Sequence, residues 1–151
     1  MQITDGSSYL DEIKNLIIEY IRSLNRDLSF QNLDEELNNL KAKYTYPNGR
    51  IIVAIVDKKI VGCVAYHRHS SNRCEMKRLY VKPNYRNLKI GKKLVNEIIL
   101  LAKKDGYQEM VLDTIKPLKR AINIYKKFGF KEIDPYYHNP MPDVIYMKLT
   151  L

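Results

Sequence analysis

The run IIVAIV, residues 51–56, is apolar at all six positions and β-branched at five of them. A strand with one wet face alternates apolar and polar side chains, so a run with no polar position reads as a strand buried inside a sheet. The break DKK and then IVGCVAYH, residues 60–67, provide its neighbour, and together they predict an antiparallel pair in a central sheet. Their turn lacks the Asn-Gly or Asp-Gly pair that usually marks a tight hairpin, which leaves its type open.

The other segments alternate around this pair. Ser8 and Asp11 have the spacing of a capping box, and Leu10, Ile13, Ile17, Tyr20, Ile21 and Leu24 recur at helical spacing, predicting a helix over about 8–25. Asn32 and Glu35 repeat the start signal before the stripe Leu33, Leu37, Leu40 and Tyr44, which ends near Pro47-Asn48-Gly49. CEMKRLYV, 74–81, reads as a third strand, with Glu75, Lys77, Leu79 and Val81 on one face and Cys74, Met76, Arg78 and Tyr80 on the other. Pro83 ends it. A helix follows on Ile90, Leu94, Ile98, Leu101 and Ala102, then a buried strand MVLD at 110–113, a helix from near Pro117 to Gly129, and two last strands in FKEI and VIYMKLTL. The expected architecture is one α/β domain over residues 1–151, a central mixed, mostly antiparallel sheet flanked by about four helices.

At 151 residues the chain suits one core and is short for two domains. No apolar run approaches the roughly 18 residues of a membrane span, and MQITDGSSYL lacks the basic head and apolar centre of a secretion signal. Cys63 and Cys74 make neither a disulfide framework nor a metal knuckle and read as free, buried thiols. These features predict a cytoplasmic protein with no membrane partner and no metal.

The formal charge is +9, and between Met76 and Lys104 nine cations stand against one acid, Glu97, so this segment carries +8 of it. The centre of the cluster is NYRNLKIGKKL, 84–94, a turn from strand to helix. A helix start presents unpaired N–H groups and the positive end of the helix dipole, which together bind anions. Arg86, Lys89, Lys92 and Lys93 add side-chain charge, more than one phosphate needs and suited to a pyrophosphate. A merely basic cap explains the turn equally well, and the lysines of 92–104 read as either ligand contacts or solvated surface.

The order of the residues sharpens this. EMKRLYVKPNYRNLKIGKKLVNEII, 75–99, resembles the cofactor motif of the GNAT superfamily, the acetyl-CoA-dependent N-acetyltransferases, whose turn carries Arg or Gln, two variable residues, Gly, one variable residue, then Gly or Ala. Arg86 and Gly91 match, and Lys89 replaces the first Gly. LDT, 112–114, and AINIYKKFGFKEI, 121–133, resemble later motifs of the superfamily in the same order. Leu118 stands where many members carry an Asn. The resemblance implies acetyl-CoA as cosubstrate, with the backbone of Leu79, Tyr80 and Val81 along the pantetheine. It also implies that the amides of Arg86, Asn87, Leu88, Lys89, Ile90, Gly91 and Lys92 hold the pyrophosphate. Tyr125 would protonate the departing thiolate.

Read from its stripe alone, Tyr125 is a core residue; the YKKFGF context assigns it the acid role. A Tyr with a pKa near 10 holds its proton at neutral pH, whereas a thiol near 8.5 can leave as thiolate. An acceptor amine must first lose a proton, and Glu75, on the strand of the implied pantetheine contacts, is the candidate base, directly or through water. Pairing with Lys77 or Arg78 is the competing role for Glu75. Glu36 is a weaker candidate for binding the amine, against a solvated helix face. His67 and His69, two apart on a strand, have no third metal ligand and read as surface residues. YYHNPMPD, 136–143, is either a cover over the acceptor or a rigid loop.

The expected activity is transfer of acetyl from acetyl-CoA to a primary amine of a small molecule, an amino acid included, by direct attack. A protein N-terminus or lysine is the alternative acceptor. A basic nucleic-acid-binding module competes on charge alone, but the cluster lacks interleaved aromatics and any recognition-helix or zinc pattern, so no nucleic-acid partner is expected. A catalytically silent acyl-CoA sensor and a homodimer stay open.

Overall fold

The computed structural model describes residues 1–28 and 32–151. In chain order the elements are β1 (Gln2–Asp5), α1 (Leu10–Leu24), α2 (Leu33–Asn38), α3 (Leu40–Tyr44), β2 (Gly49–Val56), β3 (Lys59–Arg68) and β4 (Arg73–Val81). A 3-10 segment, Pro83–Leu88, leads into α4 (Ile90–Lys104), followed by β5 (Glu109–Ile115), α5 (Lys119–Lys127), β6 (Lys131–Ile133) and β7 (Val144–Thr150). The strands form one sheet in the order β1-β2-β3-β4-β5-β7-β6. Only β4 and β5 run parallel; the other neighbours are antiparallel.

β2 explains its own composition. Ile52 and Ala54 enter a core with α4 and α5, while Ile51 and Val53 enter a second core with α1 and α3, so both faces are dry. Its hairpin with β3 closes on Asp57 and Lys58, both at positive φ (49° and 65°), a conformation that Asp tolerates and Lys adopts at a cost.

Four local readings change. β1 was not expected: only Ile3 of QITD is strongly apolar, and the strand is an edge held by pairing with β2. The helix expected over 32–44 is two pieces, because Asn39 leaves the helical region and its side chain accepts from the Ala42 amide at 3.3 Å, starting α3 as a cap. Neither the Ser8–Asp11 nor the Asn32–Glu35 cap forms: the residues before α1 and α2 make no side-chain cap bond. The largest change is in β4. Its register against β3 shifts between Cys63↔Tyr80 and Ala65↔Lys77, giving β4 one extra residue, and Arg78 sits there at φ 64°. Such a bulge reverses alternation. Cys74, Met76, Leu79 and Val81 therefore share the core of α4, while Tyr80 belongs to the core of α1. Glu75 and Leu79 consequently lie on opposite faces, contrary to the simple period-two reading.

Candidate functional site

β4 and β5 pair only at Arg73↔Glu109, Cys74↔Met110 and Glu75↔Val111. Beyond that point, among the described residues, β4 pairs as a strand only with β3, and β5 from Leu112 onward only with β7, so the two strands part and leave a wedge whose β4 edge has no strand neighbour. A cavity follows the wedge, lined by Met76, Lys77, Arg78 and Leu79 on one side and Leu112, Asp113, Thr114 and Ile115 on the other. α5 provides the far wall through Leu118, Ala121 and Tyr125. Tyr125 is buried against Phe130, with ring centroids 5.7 Å apart, and burial, with smaller contributions from Tyr20 and Asp113, raises its pKa above the ordinary phenol value. Tyr125 is thus both a core residue and a cavity residue, and the two sequence readings do not compete.

At the wide end of the wedge stands the basic turn. Arg86 donates from Nε to the Val81 carbonyl at 2.9 Å and lies over the Tyr80 ring at 5.6 Å, which ties the 3-10 segment to the end of β4. Lys89 links that segment to α4 in the left-handed region, φ 58° and ψ 25°. This accounts physically for a glycine at such a position, since glycine adopts that conformation freely and a lysine does so with strain. The first helical bond of α4 joins the Lys93 amide to the Lys89 carbonyl, so among the described residues the amides of Ile90, Gly91 and Lys92 stand ahead of the helix ladder, at its positive end. A Cβ on Gly91 would meet Ile124 Cδ1 at 3.4 Å and Val81 Cγ2 at 3.9 Å, ordinary contacts, so alanine fits here. Among the described residues no carboxylate pairs with Lys89, Lys92 or Lys93, whereas Lys82 pairs with Glu19 at 3.4 Å. Lys103 and Lys104 close the last turn of α4, about 20 Å from this site at 1.5 Å per residue, and are separate from it.

A second cavity, of about 250 Å³, lies on the α1–α3 side of the sheet, lined by Glu36, Lys43, His69, Glu75, Lys77, Arg78, Tyr136 and Tyr137. Lys77 and Arg78 line both cavities, so the bulge of β4 is their shared wall. Here the sequence expectations shift most. Glu36 is not on a solvated face: it is buried, bound by Arg78 Nε at 2.7 Å and Nη2 at 3.1 Å, and by Lys43 Nζ at 2.9 Å. Burial pushes its carboxyl up, but the bonds and charges of Arg78 and Lys43 outweigh this and hold it lowered to about 2. Glu75 does not pair with Arg78. Its Oε1 lies 2.6 Å from His67 Nε2, and Oε2 accepts from the Tyr136 hydroxyl. Burial opposes its ionisation, yet the His67 bond, the Lys77 charge and the Tyr136 bond lower its pKa to about 2. His67 is therefore a partner of a buried carboxylate rather than a surface residue, while His69 is exposed with its ring edge against Tyr136.

Two residues of the segment 136–143, Tyr136 and Tyr137, line this cavity. Tyr136, Tyr137 and Tyr146 pack edge to face and tilted, and the Tyr137 hydroxyl donates to Asp113 of β5. Its far end is held by Arg26, whose guanidinium donates to both oxygens of Asp143 at 2.6 and 2.7 Å. Sequence reasoning missed Lys77, Asp113 and Tyr137 as site residues; the only signal was the aromatic cluster YYHNP. Cys63 and Cys74 are buried free thiols, and burial raises both to about 12. Among the described residues there is no group of three metal-ligating side chains, and no helix is long and apolar enough to cross a membrane.

Comparison with known proteins gives this geometry a setting. The model of the Acetyltransferase (GNAT) family matches residues 16–130. Over 144 residues the chain is 49% identical to an uncharacterized N-acetyltransferase of Schizosaccharomyces pombe, covering 94% of this chain and 88% of the relative. It is 36% identical over 213 aligned positions to an uncharacterized N-acetyltransferase of Dictyostelium discoideum, covering 100% and 99% of the two. Among solved structures, a GNAT family acetyltransferase of Staphylococcus aureus superposes with a TM-score of 0.81 at 27% identity, over 99% of this chain and 98% of that one.

Proposed function

This chain belongs to the GNAT family of acetyltransferases and is an acyltransferase, and we propose that it moves the acetyl group of acetyl-CoA to the primary amine of a small molecule by direct attack. The observation that carries the reading is the wedge between β4 and β5, a strand edge with no strand neighbour among the described residues that runs from the basic turn to Tyr125. Pantetheine carries amides, and it fits such an edge as an added strand along Leu79, Tyr80 and Val81. The amides from Arg86 through Asn87, Leu88, Lys89, Ile90 and Gly91 to Lys92 hold the pyrophosphate at the start of α4, with Lys89 adding its ammonium.

In the reaction the amine lone pair forms the bond to the acetyl carbon, and the carbon–sulfur bond breaks with its electron pair going to sulfur. Tyr125, which holds its proton at neutral pH as an ordinary phenol does and the more so when buried, donates to that sulfur from the α5 wall. Full proton transfer to a thiolate of pKa about 8.5 is uphill, so the hydroxyl stabilises the developing charge and solvent completes the thiol. Glu75, lowered to about 2, is a poor direct base for an ammonium of pKa about 10.4. It attracts the ammonium, whose proton is lost to bulk solvent before attack, so the reacting species is the fraction of acceptor present as free amine. Glu36, with its carboxylate engaged by Arg78 and Lys43, forms the acceptor wall by fixing Arg78.

The small-molecule acceptor is supported by the size of the second cavity. The second cavity, at about 250 Å³, is smaller than the about 300–1,000 Å³ of drug-sized sites, and Tyr136 and Tyr137 line it. A protein N-terminus or lysine would require an open groove there. The test is a thiol-release assay with acetyl-CoA against amines, amino acids, polyamines and peptides, with product mass confirmed. Acetylation of small amines and not of peptides is expected; acetylation of peptides alone would overturn the acceptor class.

A further inference from the structure

The carboxylates around the acceptor cavity are all satisfied. Arg78 and Lys43 donate to Glu36, Tyr136 and His67 engage Glu75, and Tyr137 and Asn139 donate to Asp113. Lys77 differs. Its side chain is only 13% exposed, it forms a long ion pair with Asp113 Oδ1 at 4.0 Å and its charge acts on Glu75, yet it donates no hydrogen bond to any described residue. An ammonium carries three donors and no acceptor, so this half-enclosed cation keeps its donors available for a polar group that comes closer than Asp113. It lines both the donor wedge and the acceptor cavity, so its partner must belong to a molecule that reaches the junction of the two.

We infer that the acceptor is a free amino acid, whose carboxylate is bound by Lys77 at the β4 bulge while its amine faces the wedge. The inference rests on the N-acetyltransferase reading above and narrows its substrate. A polyamine would bring a second ammonium against the three cations Lys43, Lys77 and Arg78 of the same cavity. A peptide N-terminus has no carboxylate beside its amine to meet Lys77. Lys77 is in these terms a specificity-determining residue for the acceptor.

The experiment compares each amino acid with its carboxamide and its decarboxylated amine, by thiol release and by calorimetry on the CoA-loaded protein. The free amino acid is expected to exceed both analogues at least tenfold in kcat/KM. Lys77→Met should bring the ratio toward one through the amino acid's KM, and Lys77→Arg should restore part of it, which a merely unfolded variant would not do. Equal rates for acids and amides, or an undiminished ratio in Lys77→Met, would overturn the inference and leave the acetyltransferase reading standing. Should no amine release thiol, that reading fails, and calorimetry decides the remainder. Amino-acid binding lost in Lys77→Met supports the Lys77 site, and absence of amino-acid binding overturns it.

Discussion

Two charged regions of this molecule obey different physics. The turn Pro83–Leu88 with Lys89, Lys92 and Lys93 holds exposed cations with little pairing, whereas Glu36, Glu75, Lys77, Arg78 and Asp113 hold their charges inside the fold. Exposed charges stay hydrated, so leaving them unpaired costs little and their influence fades with salt. Buried charges lose water and must find partners, at a cost of several kcal/mol when one is removed. The turn can therefore change with modest effect on the fold, while the buried network is part of what holds the fold together.

The contrast predicts a graded set of outcomes. The largest is at the buried pair: Glu36→Ala removes the carboxylate that the buried Arg78 guanidinium binds and should lower unfolding free energy by about 3–5 kcal/mol, read in urea melts. A loss under 1 kcal/mol would place the pair with surface bridges. Acid has a related effect. The folded pKa of Glu36, about 2, lies below its unfolded value near 4.5, so its contribution is complete above the unfolded value and is lost as pH falls from about 4.5 to about 2. Roughly 3 kcal/mol should go over that window, and Glu36→Gln should flatten the profile there.

Between the two regions sits Tyr125. Tyr125→Phe should cut turnover by about 10²-fold or more and leave the acetyl-CoA dissociation constant within about twofold; unchanged turnover removes the acid role. At the turn the effects shrink. Lys89→Ala should weaken acetyl-CoA binding several-fold and flatten its salt dependence, and equal or tighter binding would refute a phosphate contact. Lys89→Gly relieves the φ of 58° and should raise stability by about 0.5–1 kcal/mol while losing the same charge.

How well each region could be read from the sequence follows from the same contrast. The turn is a local object: Arg86, Lys89 and Gly91 are near neighbours, and their spacing carries the family's motif. The central strands and the major helices were also legible, since β2 announces two dry faces and α4 a single stripe. The buried network was not. Arg78 meets Glu36 at a separation of 42 residues and Tyr136 meets Glu75 at 61. No periodicity encodes such pairs. The bulge at Arg78 added a second barrier, since one extra residue moves Leu79 and Val81 to the face opposite Glu75. Edge strand β1 and the break at Asn39 escaped for a simpler reason, because each depends on one pairing or one cap rather than on a pattern.

The central claim is that the β4–β5 wedge and the α4 turn form one donor site. A crystal structure of the protein with CoA tests it most directly. It should place pantetheine along Leu79, Tyr80 and Val81, the pyrophosphate on the amides of Ile90, Gly91 and Lys92, and the sulfur beside the Tyr125 hydroxyl. CoA bound elsewhere, or bound at the turn with its sulfur remote from Tyr125, would contradict the account.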